Sequence, residues 1–223
     1  MKNLFLPLLV CFISVQTYAQ ITVQEPLPTK PRFGIKFGTS LMSGSSEITY
    51  AGNNNNEALY EVSISKLTQQ YSFGLFGQKK FGWLYVEGNA LYSSYGVNYD
   101  VKSYSNNDIP ISKMGEKFGY VDLQVMAGLT HKGFRLGVGP VAHILANHTS
   151  DMSKMEGYSE KLRPISYGFS GSIGYDISRF SFDVKYDKAF RSVGDHIYYS
   201  NKKSLFKETP DAITFTIGIA LIK

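Results

Sequence analysis

A single cysteine and a single tryptophan stand in this chain of 223 residues, and only 18% of it is charged. The lone Cys11 cannot close an internal disulfide, and no Cys/His cluster has zinc-like spacing. The phosphate loop GxxxxGK[ST], the dinucleotide fingerprint and the EF-hand loop are all missing, so the sequence implies no cofactor and no bound metal. No apolar run reaches the roughly 18 residues of a membrane-spanning helix. A helical period is absent beyond the N-terminal apolar stretch. What is present is a 43% hydrophobic share with 16 Tyr and 15 Phe, enough apolar surface to argue against disorder. With 21 Gly and a mean hydropathy of -0.15, the composition is that of β structure and not of a helical membrane bundle.

At the N-terminus, Met1-Lys2-Asn3 precedes an apolar stretch from Leu4 to Val15, and Thr17-Tyr18-Ala19 offers the small residues of a cleavage site. This is the layout of a secretory signal peptide over residues 1–19. Cys11 lies inside the apolar stretch and not just after it, so lipid attachment is not expected. Cleavage before Gln20 removes Lys2 and Cys11, lowers the formal net charge of +5 by one and leaves no thiol for redox chemistry. Residues 20–31 hold Pro26, Pro28 and Pro31 and read as an extended periplasmic tether. The domain proper is expected over residues 32–223.

Within that domain the chain alternates with a period of two in eight runs. The first sets Phe33, Ile35, Phe37 and Leu41 against Gly34, Lys36, Gly38 and Ser40. The fourth sets Val121, Leu123, Val125, Ala127 and Leu129 against Asp122, Gln124, Gly128 and Thr130. The others run through residues 71–75, 84–92, 134–144, 165–177, 180–186 and 213–221. Their connections alternate too. Lys79-Lys80-Phe81-Gly82, His131-Lys132-Gly133 and Ser178-Arg179 are brief, whereas 43–70, 101–117, 147–164 and 191–211 are long and polar.

Short turns at one rim and long loops at the other predict an all-β fold: an eight-stranded antiparallel transmembrane β-barrel with short periplasmic turns and long extracellular loops. The rival is a soluble lipocalin-like barrel, with the apolar face turned inward around a ligand. Gly, Ser and Thr crowd the polar face, which suits a narrow interior. Aromatics gather at run ends, where Trp83, Tyr92, Phe134, Tyr167, Phe180 and Tyr186 would form interfacial girdles. With the apolar face toward lipid, the lumen receives Lys36, Glu87, Asn89, Asp122, Gln124, Arg135, His143, Asp183, Lys185 and Asp187. An eight-stranded barrel is only wide enough for side chains to fill, so these groups are expected to pair across the lumen as a structural network. Gly139-Pro140 is expected at a bulge, because proline removes a ladder donor.

An enzyme would need a site at the outer rim. His148 with Ser150 and Asp151, and Asp195-His196, are the only oriented-base arrangements there, and their spacing is not diagnostic. A non-enzymatic, structural or partner-binding role is expected; a barrel enzyme using those rim residues is the alternative. Tyr50, Tyr60, Tyr104, Tyr158, Tyr198 and Tyr199 stand among Asn, Ser and Lys in the long loops, including the tract Asn53 to Asn56, and make adaptable contact surface. Lys154, Lys161, Arg163, Lys202, Lys203 and Lys207 are placed to meet lipopolysaccharide phosphates. The modest net charge is spread over many loops and forms no basic stripe for nucleic acid.

The runs Tyr85-Val-Glu-Gly-Asn-Ala-Leu-Tyr-Ser-Ser-Tyr-Gly96, Tyr120-Val-Asp-Leu-Gln-Val-Met-Ala-Gly128, Phe134-Arg-Leu-Gly-Val-Gly-Pro-Val141 and Phe180-Ser-Phe-Asp-Val-Lys-Tyr186 carry a resemblance. Together with the Ala19-Gln20 junction, they resemble the small outer-membrane β-barrel proteins of Bacteroidota, the PorT-like group. The likeness covers residues 31 to 223. It implies a barrel in the cell outer membrane, with envelope or secretion proteins as partners at the extracellular loops. The chain departs from the usual barrel-assembly signal by ending Ile219-Ala-Leu-Ile-Lys223, without a terminal aromatic.

Overall fold

The computed structural model describes residues 30–43, 48–52, 58–68, 70–104, 111–155, 158–189, 197–199, 202–203 and 211–222. The expected signal peptide, nearly all of the tether, the Asn53 to Asn56 tract, Asp195-His196 and Lys207 lie outside them.

Eight strands pair in chain order, and the last returns to the first to close a ring. In chain order they are β1 (Arg32–Ser43), β2 (Gln70–Phe81), β3 (Leu84–Ser103), β4 (Ile111–His131), β5 (Phe134–Ser150), β6 (Ile165–Ile177), β7 (Phe180–Ala189) and β8 (Asp211–Ile222). Every pairing is antiparallel, and β8 returns to β1 with Lys36 opposite Gly218 and Leu41 opposite Ile213. The three brief connections turn at residues 82–83, 132–133 and 178–179. Positive φ at Gly82, Lys132, Gly133 and Ser178 lets the chain reverse so tightly.

The period of two sorts the faces. Phe37, Phe73, Val125, Leu136, Ile173, Val184 and Ile217 are exposed on the outside of the ring, while Lys36, Ser72, Gln124, Arg135, Ser172, Asp183 and Thr216 are buried within. This is the reverse of a lipocalin-like barrel. The outward apolar residues form a belt on all eight strands. Trp83, Phe134 and Phe180 stand at its short-turn edge and Tyr167 and Tyr186 at the other, all exposed. Tyr92 lies nearer the far edge, half-buried, and its hydroxyl receives the Asn147 amide at 3.0 Å.

Two expectations are corrected. Stretches of the segments read as long loops are strand among the described residues. β3 and β4 run 20 and 21 residues and stay paired from Leu84–Leu129 up to Lys102–Ile111. At about 3.3 Å per residue, they rise some 30 Å beyond the belt. A hairpin of Ile48–Gly52 and Ala58–Leu67 takes over as the neighbour of β3 above Gly96, where Thr68 donates its amide to the Gly96 carbonyl at 2.8 Å. A 3-10 turn (Asp151–Lys154) and a small sheet of Tyr158–Glu160, Ile197–Tyr199 and Lys202–Lys203 complete this cap.

Pro140 makes no bulge. Pairing between β4 and β5 lapses beside it and resumes in the same register, from Gln124–Val141 to Ala127–Val138. A missing donor therefore interrupts the ladder without shifting it. The shift lies higher, where Gly119 faces Asn147 but Tyr120 faces Leu145, leaving Ala146 as the extra residue. Above it the inward positions of β5 change parity, and His148 turns into the ring while Asn147 and Thr149 face out.

Gly139 sits where two backbones nearly touch: a Cβ there would meet the Val125 carbonyl oxygen at 1.8 Å. A main-chain atom cannot rotate away. Gly139→Ala is expected to destabilise the barrel by about 1–3 kcal/mol, read from urea unfolding of the refolded protein. An unchanged midpoint would show that the β4–β5 spacing is not needed.

Candidate functional site

The interior is built in tiers along the ring axis. At the short-turn end, Asp176 holds Arg32 at 3.1 Å, Lys80 at 2.7 Å and the Arg135 Nε at 3.1 Å. Above it, Arg135 donates to Glu87 at 2.9 Å and to Asp183 at 2.5 Å, and Lys36 donates to the same two carboxylates at 2.5 and 3.2 Å. Two cations and two anions thus share each other's charge in a closed square. Gln78 adds a hydrogen bond to Glu87 at 3.2 Å. Satisfaction of this kind is what a buried charge requires.

The next tier is a polar chain. Lys185 donates to Gln124 at 2.7 Å, Gln124 donates to Ser170 at 2.7 Å, and Ser170 donates to Asp187. Thr214 also donates to Asp187, at 2.8 Å, and Asn89 reaches both Glu87 and Gln124. Higher still, Asp122 receives the Ser93 hydroxyl at 2.6 Å and pairs with His143 Nδ1 at 2.6 Å. The carboxylate lies between the hydroxyl and the imidazole, so these three do not form a relay from base to nucleophile.

Sequence reasoning missed Arg32 and Asp176 as members of the network, and the bulky groups packed among it. Phe76, Tyr85, Leu91 and Met126 are buried inside the ring. Tyr85 stands against Gly137, whose absent side chain makes the room, and Arg135 lies over its ring at 5.5 Å. The signal was available: Tyr85 shares its parity with Glu87 and Asn89.

Above Asp122 the inward face becomes apolar. Tyr95, Phe118 and Tyr120 stack with ring centres 5.2 and 5.8 Å apart. Val97, Tyr99, Val101, Val62, Ile64, Met152, Met155 and Ile197 bury themselves above them as a second core. At the edge of that core, the rim residues proposed for catalysis go to different partners. Ser150 donates to Glu116 at 2.7 Å, and Asp151 accepts from Lys154 at 2.7 Å and from the Gly115 amide at 3.3 Å. His148 stands between two carboxylates, Nε2 3.7 Å from Glu116 and Nδ1 3.5 Å from Glu160. Burial opposes its positive charge, but the contacts with Glu116 and Glu160 outweigh it and hold the imidazole above its ordinary value.

Of the loop tyrosines, Tyr60 and Tyr158 pack against the second core, Tyr104 donates to Glu61 at 2.7 Å, and Tyr198 carries Lys161 over its ring at 4.7 Å. Lys154, Lys161 and Arg163 are exposed. The side chains of Tyr50, Tyr199, Lys202 and Lys203 lie outside what the structure describes.

An up-and-down ring of eight strands, apolar outside and ion-paired within, defines a small filled β-barrel. The chain belongs to the family described as "Outer membrane protein beta-barrel domain", whose model matches residues 18–194. Among solved structures, a NanC porin in a rhombohedral crystal form is similar with a TM-score of 0.30 and 9% identity, over 84% of this chain and 100% of that one. No curated protein matches the chain.

Proposed function

We propose that this protein is a non-enzymatic, non-conducting barrel that spans the outer membrane and presents its ordered cap at the cell surface for binding. The observation that carries it is the reversal of faces: a belt of exposed Phe, Leu, Ile and Val outside, and a buried ion network inside. In water, such a belt would be an apolar patch far beyond the few hundred Å² that a soluble monomer tolerates. In a bilayer it is the lipid-facing surface. The turns at 82–83, 132–133 and 178–179 then face the periplasm and the cap faces outward, where Lys154, Lys161 and Arg163 can meet lipopolysaccharide phosphates.

The resemblance to PorT-like barrels of Bacteroidota supports a role as an accessory of envelope assembly or secretion. A signal peptide over residues 1–19 supplies the export that this requires. Crosslinking of surface-exposed protein in whole cells, followed by pull-down, is expected to recover an envelope protein. The membrane assignment is tested by gel migration of an outer-membrane fraction, where the unheated band should run apart from the boiled one. A periplasmic protein without that shift would refute it.

Non-conduction has its own measurement. The square of Lys36, Glu87, Arg135 and Asp183 fills the lumen, and the Tyr95, Phe118 and Tyr120 stack lies above it. Refolded protein in planar bilayers is therefore expected to give no steady single-channel current. A stable unitary conductance would mean that the network is hydrated and open.

A further inference from the structure

Glu116, His148 and Glu160 come from β4, from β5 and from the Tyr158–Glu160 strand, and one donor atom of each lies within 4.8 Å of the others. The separations of 3.7 and 3.5 Å between His148 and the two carboxylates exceed the roughly 2.9 Å usual for an N–H···O hydrogen bond. One ion takes one imidazole nitrogen, so only one of these separations can be a co-ligand spacing, which zinc bonds of about 2.0–2.1 Å in a tetrahedron set at about 3.3–3.5 Å. The other carboxylate must close in from within 4.8 Å.

The surroundings are those of a supported ligand set. Tyr99 donates to Glu116 Oε2 at 2.9 Å and Ser150 to Oε1 at 2.7 Å, fixing the carboxylate from both sides. Tyr158 reaches Glu116 at 3.4 Å and Glu160 at 3.3 Å, tying the two acids together. The Phe118 ring lies 4.6 Å from the imidazole and limits its rotation. Hydrogen bonds and packing behind the donors are how proteins orient metal ligands. Burial is graded as a site with an entry path needs: Glu116 is buried, His148 intermediate and Glu160 exposed.

We propose that Glu116, His148 and Glu160 bind one divalent first-row transition ion, with zinc as its probe, and that the ion ties the cap to the ring. One imidazole nitrogen and two carboxylate oxygens suit zinc, leaving a fourth position for water. Glu160, at the exposed end of its strand, is the ligand that moves in to close the set. Because that strand pairs with Ile197–Tyr199, the ion would fasten the small cap sheet to β4 and β5.

The test uses the full refolded chain, stripped with chelator and titrated with zinc chloride by calorimetry. One zinc per chain is expected, with protons released as the ion displaces them from His148. Glu160→Gln and His148→Ala should each weaken uptake about tenfold or more, while the heat-modifiable gel shift is retained. Calcium should bind far more weakly than zinc. Glu160→Gln changes an exposed residue, so it decides the matter even if His148→Ala fails to fold. The proposal is overturned by absence of saturable zinc uptake in the unsubstituted protein, by unchanged uptake in a folded Glu160→Gln variant, or by a preference for calcium.

Discussion

Replacing Arg135 with leucine is expected to remove about 3–5 kcal/mol of stability, because it takes one counter-charge from each of three buried carboxylates. Three acids meet at this guanidinium: Glu87, Asp183 and Asp176. Lys36 still reaches Glu87 and Asp183, and Arg32 and Lys80 still reach Asp176, so each anion loses one partner and keeps at least one. The loss should appear as a lower urea midpoint for the refolded protein in detergent. Pairing Arg135→Leu with Glu87→Leu restores the charge balance and should recover part of it; the coupling between the two is then the quantity measured. A single-variant loss below about 1 kcal/mol would match the solvated pairs of a protein surface. The filled lumen, and with it the non-conducting barrel, would then be wrong.

Phe118→Ala acts on the other core. Its ring is buried between Tyr95, Tyr120 and His148, and removing such a ring leaves a cavity costing about 3–5 kcal/mol. The expected result is local. The hairpin of residues 48–67 and the segment 151–164 should become sensitive to added protease, while the heat-modifiable migration of the ring persists. Two cores stacked in one ring can fail separately, since the apolar cap and the charged lumen share only the tier around Asp122 and Tyr120. Loss of the gel shift together with cap cleavage would show that they fold as one unit.

The eight runs of alternation placed every ring strand, because one face of each had to be apolar and the other polar over the whole belt. The same logic stopped at Tyr95, and the reason is physical. On β3 the odd positions point inward throughout, but they are Glu87, Asn89 and Ser93 below and Val97, Tyr99 and Val101 above. The strand does not turn over; its surroundings do. Below, the outside is the apolar belt, and above it the inside is the apolar core. Read from hydropathy alone, that exchange looks like a strand ending in a loop. The Glu116, His148 and Glu160 cluster was hidden for a second reason. It depends on the extra Ala146, which turns His148 inward, and no local pattern announces a one-residue shift in register.

The ring's connectivity bears on how fast it can form. Seven of its eight interfaces join strands that follow one another along the chain, and their contacts are comparatively local in sequence. The eighth joins Arg32–Ser43 to Asp211–Ile222 and must wait for almost the entire domain. The entropy of that one closure is set by chain length and not by chemistry. Folding rate should therefore respond most to changes along the β1–β8 seam, where Ser40 bonds Thr214, and little to changes in the short turns.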